Sequence, residues 1–139
     1  MQLKQAGIFF EQEANVSHFT TIETQIRDIE ALRSACNEMG LILGQSVQAR
    51  GYGGKTHQGE YVIVLKGPFD IALNRQANGT YQMTTDWWDG HVEKEVGQKF
   101  GRLLQSYGVW KTTMEASRKG YMVTRQGLKN GSVKVTITG

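Results

Sequence analysis

The stretch "EYVIVLKGPFDIALNRQANGTYQMTTDWW", residues 60–88, decides the fold. Three short runs, "EYVIVLK", "FDIALNR" and "TYQMTTDWW", are rich in β-branched, aliphatic and aromatic residues, as strands are. Asn78-Gly79 joins the second run to the third, and Asn-Gly is the strongest short hairpin signal. Closely spaced strands of this kind predict an antiparallel meander.

Upstream, "LILGQSVQA" reads as a further strand. Earlier still, His18, Thr20, Ile22, Thr24 and Ile26 share one face at period two, so Ser17 to Ile26 reads as the first strand. Asp28 is placed to cap a helix. Ile29, Leu32, Cys36 and Met39 then build one apolar stripe, and Gly40 is a natural stop. Cys36 lies on that stripe and is expected to be a small core residue rather than a nucleophile.

Downstream the period changes. Val92, Val96, Phe100, Leu103, Leu104 and Tyr107 lie at helical spacing and predict one amphipathic helix ending at Gly108. Gly97 and Gly101 within it suggest close packing on the sheet. A shorter helix, "VWKTTMEASRK", is expected to stop at Gly120. "YMVTRQ" and "SVKVTIT" form a closing hairpin through Asn130-Gly131. The order β-α-β-β-β-β-α-α-β-β predicts one α+β domain over 16–139: an antiparallel sheet with the helices packed on one face.

Residues 1–15 fit this pattern poorly. Gln12-Glu13-Ala14 can be encoded CAG-GAG-GCN, which contains the ribosome-binding sequence AGGAGG. Val16, as GTG, would then be the natural start, and residues 1–15 are expected to be a translated leader.

Composition narrows the class. At 139 residues with 39% hydrophobic residues, the chain can bury one core. Its longest apolar stretches are far short of the ~20 residues that a spanning helix needs. One cysteine cannot make an internal disulfide, which fits a reducing compartment. The net charge of +3 is uneven. Residues 1–93 hold 7 Lys/Arg against 11 Asp/Glu, and residues 94–139 hold 9 against 2. A basic C-terminal third suits nucleic acid, an acidic partner or anionic lipid, or is simply a solvated face.

The Gly-rich "ARGYGGKTHQGE", residues 49–60, invites a nucleotide-binding reading. A phosphate loop of the form G-x-x-x-x-G-K-[ST] must lead into a helix. Here Ala49 stands where the first glycine belongs, and a strand follows. The plain reading is a hairpin loop whose glycines permit positive φ. A looser one has Arg50, Lys55 and His57 holding an anion near glycine amides.

Other chemistry is thinner. Asp86, Asp89, His91 and Glu93 cluster locally but match no metal template, so neither metal nor cofactor is expected. Trp87 and Trp88 are adjacent at a strand end, so one should enter the core and one face out. Trp88 is taken as the exposed one, a candidate partner anchor.

The segments "SHFTTIETQIRDIEAL", "VQARGYGGKTHQGEYVIVLKGPFDIAL", "VEKEVGQKFGRLLQSYGVWK" and "GYMVTRQGLKNGSVKVTI" resemble the conserved hypothetical chloroplast open reading frame thirty-five family of cyanobacteria and algal plastids. The likeness spans about 16 to 138. It is strongest at Ser17-His18-Phe19, at Arg50-Gly51-Tyr52 with Thr56, and at Asn130-Gly131-Ser132. Members usually begin Met-Ser-His-Phe, which supports a start at Val16. "TDWWDGHVEKE" departs from the family pattern of one Trp followed by Gln residues. The resemblance implies a small soluble protein of the cytoplasm or stroma, phage-borne relatives, and an accessory role beside AAA-type ATPases or ferredoxin-like proteins.

Three functions remain. The first is a non-enzymatic accessory or adaptor module, presenting the Arg50–Gly59 loop and an exposed Trp to a protein partner. The second is an anion or nucleic-acid binder using the basic third with Arg50 and Lys55. The third is a small enzyme with His18 and His57 brought together near Tyr52. The candidate residues are thus His18, Arg50, Tyr52, Lys55, His57 and Trp88.

Overall fold

The computed structural model describes residues 19–45 and 48–139. His18 and the expected leader, 1–15, lie outside that range.

Five strands form the main sheet: β1 (Phe19–Glu23), β2 (Ile42–Gln45), β5 (Tyr61–Val64), β6 (Ile71–Arg75) and β7 (Tyr81–Asp86). They lie in the order β1-β7-β6-β5-β2, and every pairing is antiparallel. The three runs of residues 60–88 are therefore neighbouring strands, as the meander requires. At the β6–β7 turn Gly79 takes φ +89. There Asn78 Oδ1 accepts from the Thr80 amide at 3.0 Å, closing the turn locally.

Alternation along the strands sorts two faces. Leu43, Ile63, Ile71, Leu73 and Met83 share one face. They form the core with Leu32 and Cys36 of α1 (Ile29–Glu38), Val92 and Val96 of α2 (His91–Val96), and Leu103 and Tyr107 of α3 (Gly101–Arg118). The fold is α+β with its helices on this face. No described helix is long and apolar enough to cross a membrane.

Asp28 caps α1 by accepting the amides of Glu30 at 3.0 Å and Ala31 at 3.1 Å. Burial acts to raise the pKa of Asp28, but the Ala31 and Glu30 amides and Lys111 outweigh it and hold the carboxyl below its ordinary value.

The opposite sheet face carries Val62 and Ala72, and a second hairpin buries them. This is β3 (Gln48–Arg50) with β4 (Thr56–Gln58), whose Ala49 packs on both. The Gly-rich stretch is thus more than a loop between two strands. It folds back across the sheet, and glycine makes the approach fit: a Cβ on Gly51 would overlap the Phe19 ring.

The helical half differs from the sequence reading. The single helix expected from Val92 to Tyr107 is broken at Gly97. That residue takes φ 86, ψ 165, which only glycine adopts readily. A 3₁₀ turn, Gln98–Phe100, follows with Lys99 and Phe100 at positive φ, and Phe100 is driven fully into the core. The break at Gly108 does not occur, and α3 runs through it to Arg118. Glycine costs about 1 kcal/mol in a helix, but buried Tyr107 and Val109 on either side pin this one.

The closing strands, β8 (Met122–Gly127) and β9 (Val133–Thr138), form the expected hairpin but a separate two-stranded sheet. It leans on α3 over a crevice of about 220 Å³ lined by Met39, Ser106, Val109, Arg125 and Val133 among others. Two polar contacts anchor it: Glu38 Oε1 accepts from Arg125 Nη2 at 2.9 Å and from Trp110 Nε1 at 2.7 Å, and Gln105 Nε2 donates to the Gly131 carbonyl at 3.0 Å. The Arg125 guanidinium lies 5.3 Å from the centre of the Trp110 ring. Hydrogen bonding from Arg125, with a further contribution from Trp110, holds the Glu38 carboxyl below its ordinary value.

Candidate functional site

β7 brings an acidic residue to a place where strands rarely put one. Counting along its alternation, Thr84 and Asp86 face the β3–β4 hairpin and not the helices. Asp86 is fully buried there. A buried carboxylate needs donors, and main-chain amides supply them. Asp86 Oδ2 accepts the Tyr52 N–H and Oδ1 accepts the Trp88 N–H, both at 2.9 Å. One carboxylate thus fastens the tip of the Gly-rich hairpin to the segment after β7.

The side chains attached to those two amides lie side by side. The Tyr52 and Trp88 rings are 4.7 Å apart between centres and tilted by 56°. They are 42% and 44% exposed, so a contiguous aromatic surface faces solvent above a buried charge. His91 extends it, 6.2 Å from Trp88, with its own ring edge-on to Phe69 at 5.3 Å. His91 Nε2 lies 3.6 Å from Asp89 Oδ2. Trp87 turns the other way and packs on Phe100 at 4.7 Å. The adjacent tryptophans divide as expected, one toward the core and one outward, but a turn and not strand alternation separates them: β7 ends at Asp86 and Trp88 opens a 3₁₀ turn.

Arg50 sits at the end of β3, and its guanidinium is engaged. Nε donates to Asp70 Oδ2 at 2.8 Å and Nη2 to Asp70 Oδ1 at 2.7 Å, a two-point pairing. Nη2 also donates to the carbonyls of Leu65 at 3.2 Å and Gly67 at 2.9 Å. Asp70 is 2% exposed and also accepts the amides of Arg50 and Leu65. Hydrogen bonding to Asp70 raises the Arg50 pKa further. The Arg50–Asp70 pair staples the loop end of β3, and the Asp86 clamp holds Tyr52, two residues on, at the tip of the hairpin.

Lys55 is exposed in the loop beside Gly53 and Gly54, whose φ values are +67 and +79. His57 is half-buried on β4, 5.4 Å from the Phe19 ring. The structure thus gathers Arg50, Tyr52, Lys55 and His57 on one hairpin and brings Trp88 to its tip. Among the described residues, no group of three or more His, Cys, Asp or Glu is placed to hold a metal ion.

Sequence reasoning passed over both carboxylates that build the site. In the sequence Asp86 stands out only as a possible metal ligand, and Asp70 does not stand out. A signal existed: aspartate is depleted in strands, so one at a strand end that faces the sheet calls for a donor.

No curated protein and no solved structure matches the chain. The model of one protein family, described as "Protein of unknown function (DUF1257)", matches residues 35–136, which include Arg50, Tyr52, Asp70, Asp86 and Trp88. The chain belongs to that family.

Proposed function

We propose that the protein is a non-enzymatic accessory module that binds a protein partner through the Tyr52–Trp88 surface. The observation that carries this reading is the Asp86 clamp. Tyr and Trp dominate binding hot spots because they bury much area for few rotatable bonds. An exposed aromatic pair fixed through its own main chain to a buried carboxylate has lost much of its freedom before the partner arrives, which lowers the cost of binding. The resemblance to the plastid reading-frame family adds AAA-type ATPases and ferredoxin-like proteins as the first partners to try, in cytoplasm or stroma.

Giving Arg50 a role in anion capture is disfavoured by its two-point pairing with Asp70. The histidine enzyme needs His18, and its distance from His57 lies outside the described residues.

The test is a native pull-down with the wild-type chain and with Trp88→Ala and Tyr52→Ala. A stoichiometric partner should come with the wild type and be lost with either variant. Recovery of no stoichiometric partner, or of the same partner with all three proteins, would overturn the reading.

A further inference from the structure

We propose that the β8–β9 hairpin is a second docking surface, one that takes an extended acidic segment of a protein as an added strand. It shares no residue with the Tyr52–Trp88 surface and does not rest on that reading.

Charge is the first argument. Residues 116–139 hold five Lys/Arg and no Asp or Glu. Arg125 is paired with Glu38. Arg118, Lys119, Lys129 and Lys134 are exposed, and none has an acidic partner among the described residues. A surface with one sign of charge draws an oppositely charged partner and repels its like.

The main chain is the second argument. β8 and β9 pair with each other and with no other described strand. Among the described strands each therefore leaves one edge of N–H and C=O groups unpaired, a template for another strand. A two-stranded ribbon is marginal alone, so a third strand stabilises it. Of the seven large apolar residues exposed among those described, Tyr121, Met122, Leu128 and Ile137 are here. They offer apolar contact to the side chains of an arriving strand.

These observations separate the occupants. A second copy of the chain would bring the same cations to the same edge, and lysines are a common device against such self-addition. A single-stranded nucleic acid would satisfy the charge but leave the edges unused, and it binds best on several aromatics. Tyr121 is the one aromatic in 116–139. An acidic strand uses both charge and edge.

The experiment measures fluorescence anisotropy of a labelled peptide of alternating Glu and Thr, about ten residues long to match a strand, added to the whole chain. A Lys-Thr peptide and an oligothymidylate of similar length serve as comparisons. The Glu-Thr peptide should bind saturably, more weakly as salt rises, and slow amide exchange in β8 or β9. Combining Lys119→Glu, Lys129→Glu and Lys134→Glu should weaken binding by about tenfold or more. The same three sites changed to Gln should weaken it less, and serve alone if the Glu variant misfolds. Trp88→Ala should leave this binding unchanged, so failure here is distinguishable from failure at the aromatic surface. The inference is overturned by no saturable binding, by equal binding of the two peptides, by tighter binding of the oligothymidylate, by slowed exchange only outside the hairpin, or by undiminished binding of the lysine variants.

Discussion

Asp86 shows how much one buried atom pair can organise. Its two oxygens serve two amides that are thirty-six positions apart in the chain, Tyr52 and Trp88. Asp86→Asn keeps the shape but leaves one acceptor oxygen for two donors. An amide left without a partner costs about 1–3 kcal/mol, and chemical denaturation should show a loss of that size. The same variant should weaken partner binding without touching either aromatic ring. Equal stability of the two proteins would mean that the amides find other acceptors. The sequence made Tyr52 and Trp88 visible as candidates one at a time, because residue type alone marks them. Their union was not visible, since it depends on how the hairpin folds back over the sheet. Adjacency across space leaves no periodic trace.

At the scale of elements, strands were easier to read than helices. Residues 60–88 carry apolar runs and a hairpin turn, and both are local properties. The break at Gly97 is local too, but the apolar spacing through Val92, Val96, Phe100 and Leu103 hides it. All four are buried, because a helix, a turn and a second helix can each face one core. The place of β8–β9 was not legible either, because nothing in a hairpin states whether it joins the main sheet. Its attachment through Glu38 makes it pH-sensitive. The Glu38 carboxyl is held below its ordinary value of 4.5 in the folded state. A depressed carboxyl pKa contributes stability that is complete above the ordinary value and is lost as pH falls through the folded one. Amide exchange in β8 and β9, corrected for its intrinsic pH dependence, should therefore rise relative to the core below about pH 4.5. Glu38→Gln should show the faster exchange already at neutral pH. If acid and Glu38→Gln both leave the hairpin as protected as the sheet, the anchor is not Glu38.

One face of α1 is sealed against the core by Ala31, Leu32, Ala35 and Cys36, and Cys36 measures that seal. Its thiol is fully buried, and burial pushes its pKa up to about 12, with Arg33 opposing weakly. The thiolate is the reactive form, so alkylation in the native state should be slow near neutral pH. Labelling should then follow global unfolding and rise in step with denaturation of the main sheet. Rapid labelling in native buffer would show that α1 lifts from the sheet without global unfolding.

The placement of the tryptophans gives the protein three built-in optical reporters. Trp87, half-buried, packs on Phe100 at the edge of the core, Trp88 belongs to the exposed aromatic surface, and Trp110 donates to the Glu38 anchor of the closing hairpin. Their emission is set by three different surroundings: the half-buried edge of the core, a solvent-facing contact with Tyr52, and a cation with a carboxylate. With two replaced by Phe, the third reports one event: Trp88 occupancy of the aromatic surface, Trp110 release of the hairpin, Trp87 loss of the core. Binding, undocking and unfolding in this chain can thus be followed separately by intrinsic fluorescence, with no label attached.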